Sequence, residues 1–228
     1  MIKSLTARVL IIFALVANAY SQEPTSNNKL LLPPKANLVA VHLPDLTTLE
    51  PEVREHLKSL QNSLAATLKD PKQEGTLSEA YGTTGEIYQA YSLMSPAREC
   101  YLNASRLAPK DFRWTYLLGR LDQQEGRVDG AIKSYQLARD LRPDYVALAI
   151  NLANLYLQLN RLEDAEASFK SALSIDKTNA AAYYGQGQVA LSRRNFAAAI
   201  DYFEKTLVQL PDANRVHLLP RNGLSRFG

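Results

Sequence analysis

Apolar and polar positions alternate with a helical period along most of this chain. Leu148, Leu152, Leu155 and Leu159 are spaced i, i+4, i+7 and i+11, which places them on one face of a helix. Ala165, Phe169 and Ala172 form a facing stripe on the next segment. The same alternation predicts helices near 78–91, 95–107, 112–125, 129–141, 146–159, 163–175, 180–193 and 197–209. Upstream, Val53, Leu57, Leu60, Leu64 and Leu68 make the apolar stripe of a further helix within 49–70, with Pro51 suited to its first turn.

Set in rows of 34 residues from Ser78, the chain falls into columns without an insertion. Ala97, Ala131, Ala165 and Ala199 share one column, and Tyr101, Tyr135, Phe169 and Phe203 share another. Gly85, Gly119, Ala153 and Gly187 form a third, and Ala104, Ala138, Ala172 and Thr206 a fourth. Pro109, Pro143 and Pro211 recur in a fifth, interrupted by Lys177. Paired helices come close only at small side chains, and an aromatic ring fills the wider gap between those points. The prolines end the second helix of each unit. Gly126 and Asn160 fall where a first helix must reverse, and both tolerate the left-handed backbone of such a stop. Ser92 and Arg194 share that column less comfortably, and Asn195 is expected to take over the role in the last unit.

This period and column chemistry resemble the tetratricopeptide repeat, over about 136 residues from Ser78 to Ala213. The resemblance implies an all-α, right-handed solenoid of antiparallel helix pairs with units 78–111, 112–145, 146–179 and 180–213. Helix 49–70 is expected to cap its N-terminal end, because a solenoid terminus exposes an apolar face. The family favours a tyrosine late in each first helix. Tyr88 and Tyr156 comply, whereas Asp122 and Ala190 depart and are expected to loosen local packing.

The resemblance also implies a concave face lined by the first helices as the place where a partner protein or peptide binds. The residues facing away from the second-helix columns are Arg113, Tyr116, Arg120 and Gln123, then Ile150, Asn151, Asn154 and Gln158, then Tyr184, Gln188 and Leu191, with Glu79, Glu86 and Gln89 in the first unit. Arg113 and Arg120 lie two turns apart on one face and together suit a carboxylate. Asn151 and Asn154 suit a peptide backbone, and Tyr116 and Tyr184 offer rigid amphipathic surfaces. The family's clamp for acidic chaperone tails needs basic and asparagine side chains where Gly82, Glu86, Ala181 and Gly185 stand, so that use is rejected.

The termini add context. Lys3 and Arg8 precede an apolar run, Val9 to Val16, and Ala17-Asn18-Ala19 supplies small residues at alternate positions. That is a signal-peptide pattern over 1–19 with cleavage after Ala19, and it implies a periplasmic or secreted protein. The run is short for a membrane span, which needs about 20 apolar residues. Residues 20–48 hold Pro24, Pro33, Pro34 and Pro44 and read as an extended leader. Its apolar part, Leu38 to Leu43, is expected to fold back onto the solenoid. Residues 214–228 read as an irregular tail or a truncated fifth unit, broken by Pro220 and Gly223. The fourth unit is then uncapped, which suggests association of copies through that end or a longer array.

Composition narrows the function. Net charge is +3, and setting aside Lys3 and Arg8 leaves +1, so no field suited to nucleic acid remains. The three histidines, His42, His56 and His217, are scattered. Cys100 stands alone, reads as a small buried hydrophobe and can form no internal disulfide. Asn103-Ala104-Ser105 fits a glycosylation sequon but lies in a predicted helix. No metal ligand set, cofactor motif or catalytic constellation emerges, so the chain reads as a non-enzymatic scaffold for a protein partner. A non-catalytic subunit of an exported enzyme or envelope-assembly complex is the alternative.

Overall fold

The computed structural model describes residues 37–70 and 75–209. The leader before residue 37, with its signal pattern, and the tail beyond 209 lie outside these residues. Among the described residues nine helices follow one another: α1 (Pro51–Lys69), α2 (Leu77–Ala90), α3 (Met94–Leu107), α4 (Phe112–Gln124), α5 (Val128–Leu141), α6 (Val146–Gln158), α7 (Leu162–Ile175), α8 (Ala180–Ser192) and α9 (Phe196–Gln209). The bounds of α2 to α9 lie within one residue of the segments expected from the periodicity.

The helices pair as α2/α3, α4/α5, α6/α7 and α8/α9, and each pair packs on the next. The pairing is dictated by column chemistry. Ala97, Ala131, Ala165, Tyr101, Tyr135 and Phe169 are fully buried. A Cβ at Gly119 would lie 2.5 Å from the Tyr135 ring, and one at Gly187 would lie 2.5 Å from the Phe203 ring. Glycine on the first helix is therefore the space into which the aromatic of the second helix inserts. Two further glycines do the same between units. Gly82 admits Trp114 of the next unit, and Gly185 admits Phe169 of the preceding one, each with a would-be Cβ 2.1 Å away. In both cases the loss of helix propensity, about 1 kcal/mol, is exchanged for a buried aromatic ring.

The turn inside each unit is built on one left-handed residue. Gly126 (φ 73°), Ser92 (φ 61°), Asn160 (φ 55°) and Arg194 (φ 59°) all adopt it. The expectation that Asn195 would replace Arg194 is corrected. Arg194 itself carries the positive φ, and the Asn195 side chain instead accepts the Ala198 N–H at 3.2 Å at the start of α9. Three residues, Arg193 to Asn195, separate α8 from α9; the middle one reverses the chain, and Asn195 already serves the following helix.

Asp122 does not leave a void. It is 5% exposed and accepts from Arg98 at 2.6 Å and Arg127 at 2.8 Å. Glu125 completes the cluster, accepting from Arg98 at 3.0 Å and from Arg127. A Cβ at Gly130 would approach the Asp122 carboxylate to 3.0 Å. An ion-paired network bridging two units thus occupies the place where a tyrosine would pack, because a buried carboxylate must be matched by donors. Ala190 is buried against Ala199 and Phe203.

At the N-terminal end α1 lies on α2, with Leu57 and Leu64 fully or nearly buried and Pro51 opening the helix. Residues 37–43 run along α3, burying Leu38 and Val41. Leader and α1 thus enclose the first unit from both sides. Cys100 and Asn103 are fully buried there. No described helix is long and apolar enough to cross a membrane.

Candidate peptide groove

The first helices α2, α4, α6 and α8 present corresponding faces, and side chains connect each to its neighbour. Arg113 on α4 donates to Glu79 on α2 at 2.8 Å. Gln89 on α2 donates to Gln124 on α4 at 3.0 Å. Asn151 on α6 lies 3.4 Å from the Tyr116 hydroxyl on α4, and α6 packs against α8. These contacts connect Glu79, Gln89, Arg113, Tyr116 and Asn151 of the expected partner-binding residues across adjacent first helices, though the residues are not equivalent.

Arg113 is already engaged. Asp111, the N-cap of α4, accepts the Arg113 backbone N–H and also its guanidinium at 2.6 Å. The same guanidinium donates to Glu79 and stacks 4.5 Å over the Trp114 ring. The Asp111 carboxyl is held below the ordinary carboxylate range chiefly by the Arg113 side-chain hydrogen bond. Arg120, two turns on, is exposed and has no ion pair among the described residues. The two arginines therefore do not act as a pair: one closes a structural triad and the other points to solvent.

Around Arg120 lies a polar and aromatic floor. Tyr135 is fully buried and donates its hydroxyl to Gln123 Oε1 at 2.9 Å. One unit earlier Tyr101 donates to Gln89 Oε1 at 2.8 Å. Tyr116 meets Tyr145 edge-on at 5.4 Å and tilts against Tyr135 at 5.7 Å. Burial pushes the Tyr101, Tyr116 and Tyr135 hydroxyls above the ordinary tyrosine range, so they remain neutral donors. That bond engages only Gln123 Oε1, and its amide N–H groups make no hydrogen bond among the described residues.

Farther along, Asn154 and Gln188 continue the Arg120 column, and both are half-buried. Tyr184 leans on Phe203 at 5.6 Å, beside an exposed Leu191. Gln158 is exposed near the end of α6. Among the described residues the surface thus runs from acidic (Glu79, Glu86) through the unpaired Arg120 to neutral amides and then an apolar end.

The tyrosine–glutamine pairs were missed in the sequence, although a signal existed. Where the aromatic column changes from Tyr101 and Tyr135 to Phe169 and Phe203, the residue twelve positions earlier changes from Gln89 and Gln123 to Leu157 and Leu191. Loss of the donor coincides with loss of the acceptor. Other polar groups form no catalytic set: His56 Nδ1 lies 3.1 Å from the Tyr91 hydroxyl, and burial pushes the Cys100 thiol up. No group of three or more metal-ligating side chains occurs among the described residues.

Comparison with known proteins agrees with this architecture. Two family models, each described as a tetratricopeptide repeat, match residues 122–169 and 150–214. The Probable UDP-N-acetylglucosamine--peptide N-acetylglucosaminyltransferase SPINDLY of Hordeum vulgare is 32% identical over 146 residues, 61% of this chain but 16% of that protein. The chain therefore spans about a sixth of that relative's length. The crystal structure of MamA superposes with a TM-score of 0.59 at 20% identity, covering 71% of this chain and 95% of that one. YrrB, described as a TPR protein with an unusual peptide-binding site, superposes with a TM-score of 0.60 at 19% identity, covering 73% and 86%. Over residues 122–214 the chain matches the tetratricopeptide-repeat family models, and its helix pairs share the fold of these repeat proteins.

Proposed function

We propose that this chain is an exported scaffold that holds an extended segment of a partner protein along the face formed by α2, α4, α6 and α8. Repeats of this family mediate protein–protein contacts, and YrrB offers a precedent of the same fold that binds a peptide. The observation that carries the reading is Arg120. It is a cation with no ion pair among the described residues, set on a floor of neutral hydroxyls and amides from two units. A partner carboxylate at Arg120 gains a charge-assisted hydrogen bond. Asn151, Asn154 and Gln188 then hold the peptide backbone, and Tyr184 with Leu191 takes an apolar side chain. Export rests on the signal pattern of residues 1–19.

A photo-crosslinking amino acid placed at Asn154 and, separately, at the outward-facing Ser171 tests this in the native compartment. A partner captured from Asn154 and absent from Ser171 supports the groove. Equal capture from both positions, or capture from Ser171 alone, removes it. The subunit reading draws on one observation, the exposed apolar side chains of Phe196 and Val208 on α9.

A further inference from the structure

The outward face of the second helices is solvated in units two to four. Lys133, Leu137 and Asp140 on α5 are exposed, as are Ala167, Ser171 and Ser174 on α7. In unit one the same three columns hold Glu99, Asn103 and Arg106, and there Asn103 is fully buried. It is buried by residues 37–43, which lie extended along α3.

The contacts read that segment through its main chain. Val39 N–H donates to Asn103 Oδ1 at 2.7 Å, and Asn103 Nδ2 donates to Val39 O at 2.9 Å. His42 N–H donates to Glu99 Oε2 at 2.7 Å, and Arg106 donates to Asn37 O at 2.9 Å. One side-chain pair is added, His42 Nδ1 with Glu99 Oε1 at 2.6 Å. Leu38 and Val41 are the buried side chains of the segment and join the core of the first unit, with Leu43 partly buried against it. A helix interior is a poor place for asparagine unless both ends of its amide are used. Here both are used by one residue of an extended strand, an arrangement that fits any sequence with the right apolar spacing.

We propose that the outer face of α3 is a second peptide-binding site, separate from the concave groove. It takes an extended segment with apolar side chains at positions i and i+3, and residues 37–43 are its resident occupant. Glu99, Asn103 and Arg106 supply the main-chain contacts, and this set occurs in one of the four described units. A partner segment of the same chemistry binds by displacing the resident one, which is held by two buried apolar side chains, the partly buried Leu43 and these few hydrogen bonds. Local release of so small a segment leaves the helix pairs intact.

The test uses the full chain and a labelled synthetic peptide with the sequence of residues 37–43. The wild type is compared with Leu38→Asp/Val41→Asp, in which the resident segment is expelled. The peptide is expected to bind the variant at least tenfold more tightly than the wild type. Adding Asn103→Ala should weaken that binding at least tenfold, and moving the two apolar residues of the peptide next to each other should do the same. Equal affinity for both chains, or affinity indifferent to Asn103→Ala, overturns the proposal. Should circular dichroism show that the aspartate variant has lost its helices, Leu38→Ser/Val41→Ser replaces it with the same expected outcomes.

Discussion

The buried hydroxyl of Tyr135 donates to Gln123 Oε1 at 2.9 Å, tying the second helix of unit two to the groove surface of its first helix. Removing either partner alone strands a polar group, whereas removing both reproduces the Phe–Leu combination of units three and four. We expect Gln123→Leu to cost about 1–2 kcal/mol, since it leaves a fully buried hydroxyl without an acceptor. Tyr135→Phe should cost about 1 kcal/mol. The double variant should be less destabilised than the sum of the singles, which urea unfolding of the four proteins would establish.

Gly185 gives a prediction opposed to helix propensity. Alanine is the better helix former by about 1 kcal/mol, yet a Cβ at this position would lie 2.1 Å from the Phe169 ring. Overpacking typically costs about 1–3 kcal/mol, so Gly185→Ala should lower the melting temperature. An unchanged or raised value would mean that the ring can move aside.

Arg194 should respond in the other direction. It holds a left-handed backbone at φ 59° with a side chain that glycine, at Gly126, does without. The left-handed conformation costs an ordinary residue roughly 1 kcal/mol, partly offset by the greater chain entropy of glycine when unfolded. Arg194→Gly is expected to stabilise by a few tenths to about 1 kcal/mol, measured by denaturant midpoint.

Asp111 links stability to pH. Its carboxyl is held below the ordinary range, first by the Arg113 side chain. A depressed folded-state value means that the stabilisation is present above the unfolded value, near pH 4. It is then lost as pH falls through the folded value. Asparagine can still cap α4 but carries no charge. The wild type should therefore exceed Asp111→Asn in stability at neutral pH, by less than about 1 kcal/mol for so exposed a pair. The gap should close on acidification below the ordinary carboxylate range. A gap that is constant from neutral pH into acid would contradict the assignment.

These cases also mark what the amino-acid order reveals. The fold class is legible because small residues and aromatics such as Gly119 and Tyr135 recur at a fixed period, and that recurrence has one packing solution. Asp122 was read as a defect because its partners Arg98 and Arg127 come from different helices, and only the folded arrangement brings them together. From sequence Arg113 pairs with Arg120 as a carboxylate site, because its engagement in the fold depends on the capping geometry of Asp111 and on a neighbouring unit's Glu79. The resident segment at α3 showed itself in sequence as apolar character alone. Its main-chain bonding to Asn103 leaves no trace in side-chain pattern.

If the concave face carries the partner, Arg120 and Asn154 are the side chains whose loss must weaken binding. The measurement is the affinity of the crosslinked partner, once in hand, for the wild type and for Arg120→Ala/Asn154→Ala, with circular dichroism establishing that both are folded. Loss of a charge-assisted contact and a backbone contact, about 1.5–3 kcal/mol for the former, should weaken binding at least tenfold, with the larger part lost at high salt. Unchanged affinity in a folded variant would contradict the account and move the partner off this face.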